Sequence, residues 1–212
     1  GKYEVRPTDI NKLLVESATM FGRTKKEIRI HTGLAPDIWT VEVDRGQIEQ
    51  ALLNLYVNAW QAMPRGGDLY LKTENVTLDK EFIKDKPYKV EAGDYVKITV
   101  TDTGVGIYRE TRERIFEPFF TTKGLDKGTG LGLASAYGII KAHGGYLEVE
   151  SKKGRGTTFY ITLPLAKVQP DARKAAVRET TRGSETILLV DDEERFIDGL
   201  QSVLDHYDYS CA

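Results

Sequence analysis

The chain has 212 residues, 40% hydrophobic and 29% charged, with a formal net charge of -2. This suits one good globular domain plus a remnant, or two small domains, and the balanced charge argues against a nucleic-acid partner. No apolar run is long enough to cross a bilayer, no signal-peptide pattern opens the chain, and the single Cys211 has no disulfide or metal partner, so a cytoplasmic, reducing setting without membrane contact is expected.

Residues 1–7 read as a short edge strand. Thr8 or Asp9 can cap a helix whose apolar face is Ile10, Leu13, Leu14 and Ala18, with Gly22 as its stop. Residues 27–32 alternate Ile28 and Ile30 with Arg29 and His31, the pattern of a half-buried strand with His31 on its wet side. A turn over 33–37 leads to a strand over 38–43, expected to close a hairpin with the first.

Asp44 caps a long helix over 45–63, stopped by Pro64, Gly66 and Gly67. At about 100° per residue, Ile48, Leu52, Leu55, Ala59 and Ala62 form an apolar stripe. Gln47, Gln50, Asn54, Asn58 and Gln61 form a second, narrow one. Asparagine is a poor helix former, and an unpaired buried amide costs roughly 1–3 kcal/mol. The row is therefore either a ladder bonded to neighbouring backbone or a polar floor for a magnesium-bound phosphate chain. Carboxamide oxygens are hard neutral ligands that suit Mg2+.

Strands follow over 68–76 and 95–102, paired as a hairpin around a lysine-rich surface excursion. Next comes TDTGVGIYRETRERIFEPFFTTKGLDKGTGLGL, residues 101–133. Gly104 and Gly106 open this stretch and Gly128, Gly130 and Gly132 close it. Glycine allows the close approach and positive φ of a backbone that cradles phosphate. The second cluster runs into a helix over 131–143, which aims free amides and a positive dipole end at an anion. The stretch reads as a nucleotide lid. His143, just before Gly144, reads as a structural helix-end residue whose cation suits the helix C-terminus. Strands over 146–150 and 157–163 flank the turn Gly154–Arg155–Gly156.

Residues 167–185 have no apolar period and read as a linker. Residues 186–190, TILLV, suit a buried parallel strand; Asp191 and Asp192 end it, and 193–206 suit an amphipathic helix.

These segments together resemble a family. The chain is similar to the catalytic, ATP-binding domain of bacterial sensor histidine kinases, in the superfamily shared with gyrase. QALLNLYVNAWQAM resembles the N box, DTGVGI the G1 box, IFEPFFTTK the F box, GTGLGL the G2 box and GRGTTF the trailing glycine box, in the family's order. ETILLVDDEERF resembles the start of a response-regulator receiver domain, the layout of a hybrid kinase. The implied domains are 1–166 for the kinase, 167–185 for the linker and 186–212 for a truncated receiver piece.

The resemblance implies a two-layer α/β sandwich, with a mixed, mainly antiparallel sheet and helices on one face. It implies Mg2+ and ATP as cofactors. It implies phosphoryl transfer to a histidine on a separate dimerisation domain upstream, and a receiver domain or response regulator as partner. None of His31, His143 and His206 fits the phosphoacceptor pattern. Asp102 would accept the adenine amine, supported by Thr158; Gly104, Gly106 and Ile107 would lie against the purine. Asn54 and Asn58 would hold Mg2+ and phosphates. Thr121, Thr122 and Lys123 would face the phosphates, and Gly128, Thr129, Gly130, Leu131, Gly132 and Leu133 would cradle them. Asn54 and Lys123 are the implied catalytic pair. Phe116, Phe119 and Phe120 would anchor the lid by packing. Many family members carry Lys where this chain has Gln61, which throws more weight on Lys123. Gyrase-like relatives carry Glu at the place of Asn54, so slow ATP hydrolysis is expected here. The other readings are a nucleotide-binding module without catalysis and a gyrase-like ATP-hydrolysing domain.

Overall fold

The structure is a computed structural model that describes residues 4–79, 91–122, 129–165, 186–187 and 210–211. The chain divides into two units, Gly1–Pro170 and Asp171–Ala212.

In the first unit, the elements run β1 (Arg6–Thr8), α1 (Ile10–Thr24), β2 (Ile28–Gly33), β3 (Val41–Val43), α2 (Arg45–Ala62), β4 (Gly67–Leu78) and β5 (Gly93–Asp102). They continue with α3 (Arg109–Arg112), α4 (Gly132–Ala142), β6 (Tyr146–Ser151) and β7 (Thr157–Pro164). A five-stranded sheet has the order β2-β4-β5-β7-β6. Only β2 and β4 pair in parallel; the other neighbours are antiparallel. One face of the sheet is apolar: Leu69 and Leu71 of β4, Ile98 and Val100 of β5, and Phe159 and Ile161 of β7 are buried. Their alternates Tyr70, Lys72, Lys97 and Tyr160 are exposed or half-buried. The long helices cover the apolar face, so the expected mixed, mainly antiparallel α/β sandwich is present.

Local chemistry sets the helix ends. The Asp9 carboxylate accepts from the Lys12 amide, and that of Asp44 from the Gln47 amide. Further bonding from the Glu4 amide helps hold Asp44 below the usual carboxylate range. Helix α1 runs through Gly22 and ends at Thr24, two residues later than its glycine suggests; the Thr24 hydroxyl reaches the Met20 and Phe21 carbonyls and the Lys25 amide donates to the Phe21 carbonyl, which closes the last turn. The α2 stripe holds as expected at Ile48, Leu52, Leu55 and Ala59, joined by Ala51 and Tyr56, while Ala62 is only half-buried.

The expected hairpin of β2 with β3 does not form. β2 lies parallel to β4, Ile30 beside Leu69, and β3 pairs with β1, Val43 beside Arg6. The connection is no tight turn. The Ala35 amide donates to Thr73 Oγ1 (3.0 Å) and the Trp39 amide to Asn75 Oδ1 (2.9 Å), so side chains of β4 hold the loop. This pairing buries Ile28 against the helices.

His31 lies on the open face, as expected, stacked on Tyr70 (4.7 Å between rings) and 2.7 Å from Asp68 Oδ1. Asp68 also takes two bonds from Arg29, and these partners hold its carboxyl well below the usual range. No helix among the described residues is long and apolar enough to cross a membrane.

In the second unit, β8 (Thr186–Ile187) and β9 (Ser210–Cys211) pair in parallel. The linker expected over 167–185, the acidic pair Asp191 and Asp192, the helix over 193–206 and His206 lie outside the described residues.

Candidate functional site

A cavity of about 500 Å3 opens between α2, α4 and the loops that follow β5. Its floor is the helix-facing side of the sheet, through Asp102, Thr157 and Phe159. Its wall is α2, through Asn54, Val57, Asn58 and Gln61. The opposite side is supplied by Ile107, Phe120, Thr121, Thr122, Thr129, Gly130, Gly132 and Leu133. Segments far apart in the sequence thus meet at one place.

At one end sits Asp102, 4% exposed. Burial pushes its carboxyl up to about 6, against two backbone amides that favour the charge. The Gly104 amide donates to Oδ1 at 2.8 Å and the Thr157 amide to the same oxygen at 3.3 Å. Oδ2 makes no hydrogen bond to another of the described residues and can accept from a ligand. A carboxylate buried in a cavity wall with one oxygen uncommitted suits a donor such as an exocyclic amine.

The loop after β5 is clamped on both sides. The Val105 amide donates to the Ala62 carbonyl at the end of α2 (3.0 Å), and the Gly154 amide to the Val105 carbonyl (2.8 Å). Gly106 (φ 63°) and Gly156 (φ 87°) are glycines for reasons internal to the protein. A Cβ on Gly106 would overlap the Lys152 carbonyl oxygen, and one on Gly156 the carbonyl oxygen of Asp102. Expected room for a purine is therefore not what excludes a side chain at Gly106.

Thr158 does not support Asp102. The β5–β7 register sets Asp102 opposite Thr157 and Thr101 opposite Thr158. Side chains alternate along a strand, so Thr158 faces away from the cavity and meets the Thr101 hydroxyl at 3.0 Å. Thr157 is the residue that sequence reasoning missed. The strand period carried the signal, since Thr157 shares a face with Phe159 and Ile161.

At the other end, the carboxamide row divides. Asn58 Nδ2 donates to the Asn54 carbonyl within α2 (2.8 Å). A carbonyl can only accept, so this bond fixes the amide orientation and leaves Asn58 Oδ1 toward other partners. The backbone-ladder reading thus describes half of one side chain. The Asn54 amide makes no hydrogen bond to another of the described residues. Both amides lie beside Gly132, the first residue of α4, within 3.7 Å of where its Cβ would stand. Asn54 and Asn58 therefore face a helix N-terminus, with its unbonded amides, across the cavity.

The segment between the two glycine clusters is tied to the second of them. The Phe119 amide donates to the Gly130 carbonyl at 3.0 Å. Phe119 itself has φ 66° and is 74% exposed, so it does not anchor by packing. Phe116 does, stacked on Tyr137 of α4 at 5.0 Å, while Phe120 lines the cavity beneath the Arg114 guanidinium. Leu131 is 43% exposed beside this lid. Lys123 and Gly128 lie outside the described residues.

His143 is structural, and its bonds differ from the expected helix-end cation. Nδ1 lies 2.8 Å from the Ile139 carbonyl, and Nε2 accepts from the Asp44 amide at 3.0 Å. One nitrogen must donate and the other accept, which is the neutral ring. It ties the end of α4 to the start of α2.

The donor set fits a nucleotide with Mg2+. It combines a buried acceptor at one end, two carboxamides at the other and a helix N-terminus beside them. No group of three His, Cys, Asp or Glu side chains that could hold a metal occurs among the described residues. Such a site suits an ion that keeps water and phosphate ligands.

The chain is 41% identical over 199 residues to the sensor kinase CckA of Brucella abortus, covering 88% of this chain and 21% of that protein. It is 34% identical over 169 residues to the sensor histidine kinase ZraS of Escherichia coli, covering 79% and 32%. The chain thus spans a fifth to a third of the length of these relatives. The solved catalytic domain of histidine kinase ThkA superposes with a TM-score of 0.61 at 30% identity, over 76% of this chain and 96% of that one. The mycobacterial sensor histidine kinase MprB gives 0.60 at 27%, over 76% and 97%. Residues 43–167 match the family described as histidine kinase-, DNA gyrase B-, and HSP90-like ATPase, and the chain belongs to that family.

Proposed function

We propose that this chain binds Mg-ATP and donates its γ-phosphoryl group to a histidine on a separate helical domain, as the catalytic part of a sensor histidine kinase in two-component signalling. The observation that carries the reading is the cavity with a buried carboxylate at one end and a carboxamide pair facing a helix N-terminus at the other.

Asp102 Oδ2 accepts from the adenine amine, and Gly104, Gly106 and Ile107 bound the purine. Asn54 turns its amide oxygen, and Asn58 its amide nitrogen, toward the phosphate end, and the two carboxamide oxygens would hold Mg2+. When bound, that ion neutralises charge on the phosphates. Thr121, Thr122, Lys123, Gly128, Thr129, Gly130, Leu131, Gly132 and Leu133 cradle the polyphosphate. The chain's work is positioning and charge neutralisation, which is most of what phosphoryl transfer needs. A carboxamide cannot take a proton, so Asn54 does not activate water, and hydrolysis by this chain alone is slow.

The expected partners are the histidine-bearing dimerisation domain and a receiver domain or response regulator. A solved complex of ThkA with the response regulator TrrA, at 27% identity and a TM-score of 0.57, supports the second for a relative. The parallel pairing of β8 with β9 supports reading 186–212 as the start of a receiver, since parallel strands need a long crossover between them. Asp191 and Asp192 would then be half of that receiver's Mg2+ site. The setting is cytoplasmic, with no contact to membrane or nucleic acid by these residues.

The test mixes the chain with labelled Mg-ATP and the histidine-bearing domain of its parent protein. Acid-labile, base-stable label on that domain is the expected result. Nucleotide binding without transfer favours the non-catalytic module, and fast turnover without the second domain favours the gyrase-like alternative.

A further inference from the structure

Beneath the base end of the cavity, three polar groups converge on one hydroxyl. Ser151 is the last residue of β6 and stands apart from the residues assigned above. Its Oγ receives the Ile107 amide at 2.8 Å, reaches the Gly156 carbonyl at 2.9 Å and lies 3.0 Å from Thr157 Oγ1. A hydroxyl has one proton and two lone pairs. The Gly156 carbonyl can only accept, so the Ser151 proton goes there. The Ile107 amide can only donate, so it takes one Ser151 lone pair. The contact with Thr157 must then run from Thr157 to Ser151. Thr157 spends its only proton on Ser151 and offers the cavity lone pairs alone.

We propose that Ser151 sets base selectivity by fixing the Thr157 hydroxyl as an acceptor. This rests on the nucleotide reading above. With Thr157 so fixed, the base end presents two side-chain acceptors, Asp102 Oδ2 and Thr157 Oγ1, and both want donors. A 6-amino purine supplies an N–H pair there. A 6-oxo purine supplies an oxygen, which meets lone pairs. A site whose polar groups are left unpaired discriminates far better than one that merely fits. Ser151 is a positioning residue in this scheme: it acts through Thr157 and through the Ile107 loop. Without its oxygen, the Thr157 proton is released and the hydroxyl can turn to donate to a 6-oxo group.

The test compares ATP with ITP, the 6-oxo analogue, by calorimetric titration in Mg2+. The full chain is used as wild type, Ser151→Ala, Ser151→Thr and Thr157→Val. Wild type is expected to bind ATP well ahead of ITP. Ser151→Ala is expected to narrow that ratio by roughly tenfold, with part of the change a gain for ITP. Ser151→Thr keeps the hydroxyl and keeps the ratio. Thr157→Val narrows the ratio through loss of ATP alone, and it decides the matter if Ser151→Ala does not fold. Equal losses for both nucleotides in Ser151→Ala, or an unchanged ratio in Thr157→Val, would overturn the assignment. A wild-type chain that binds neither nucleotide overturns the nucleotide reading itself, a different result from a chain that binds ATP with Ser151 indifferent.

Discussion

At the base end of the cavity, Asp102 is 4% exposed and held by backbone amides from two segments. At the phosphate end, Asn54 is half-buried and makes no hydrogen bond to another of the described residues, and Thr122 and Thr129 are exposed. The first end belongs to the core sheet, and its geometry exists before any ligand arrives. The second is a set of donors and acceptors around an opening. Under the proposed reading the contrast is a division of labour: the preformed end would set which nucleotide binds and how tightly, and the open end would set what is done with the phosphates.

The largest expected effect comes from breaking the frame of the preformed end. Gly156→Ala places a Cβ against the Asp102 carbonyl at a positive φ. It should cost on the order of 3–5 kcal/mol, read as a lower denaturation midpoint, and abolish nucleotide binding. A variant that keeps wild-type stability would mean that the β5–β7 corner is not rigid.

Asp102→Asn separates fold from recognition. The amide oxygen can still accept from Gly104 and Thr157, but its nitrogen then meets the adenine amine donor to donor. ATP affinity should fall by at least about 100-fold. Stability should move the other way. The folded carboxyl, raised to about 6, lies above its unfolded value near 3.8. Its contribution is therefore fully present below about pH 4 and lost as pH rises through about 6. At pH 7 the variant should gain about 2–3 kcal/mol over wild type, and at pH 4 almost nothing. In wild type, ATP affinity should strengthen from pH 5 to pH 7, because the adenine amine needs the ionised form. A flat profile, by calorimetry at each pH, would remove Asp102 from the base end.

Asn54→Ala probes the open end. Phosphoryl transfer should fall by about 10- to 100-fold while ATP binding measured without Mg2+ stays near wild type. Equal losses in both would erase the proposed division. The smallest effect is expected at the lid. Phe119 is a non-glycine residue at φ 66° with its ring in solvent. Phe119→Asn should raise stability by about 0.5–1 kcal/mol, seen as a small increase in Tm, since asparagine tolerates that region of the backbone map.

Much of this was legible in the chain. Helix α2 was readable because its cap, its glycine stop and its apolar and carboxamide stripes agree at one period. Asp102 was readable as the end of an alternating strand. The partner of β2 was not. Ile28 and Ile30 say that one face is buried, but not which strand lies alongside, and a parallel neighbour far along the chain leaves no local mark. The GRGTTF segment carries Thr157 beside Thr158, and only the register with β5 says that Thr157 is the one opposite Asp102.

The sequence by itself determined the elements, their caps and which residue types would be available to a phosphate and a base. Local period and side-chain chemistry are short-range and need no partner to be read. The tertiary structure alone decided which of those groups meet. Asp102 faces Thr157 and not Thr158, Ser151 reaches Thr157 from another strand, and His143 bridges two helices. Strand register and the crossing of segments are long-range, and the direction of each hydroxyl proton follows only once every neighbour is in place.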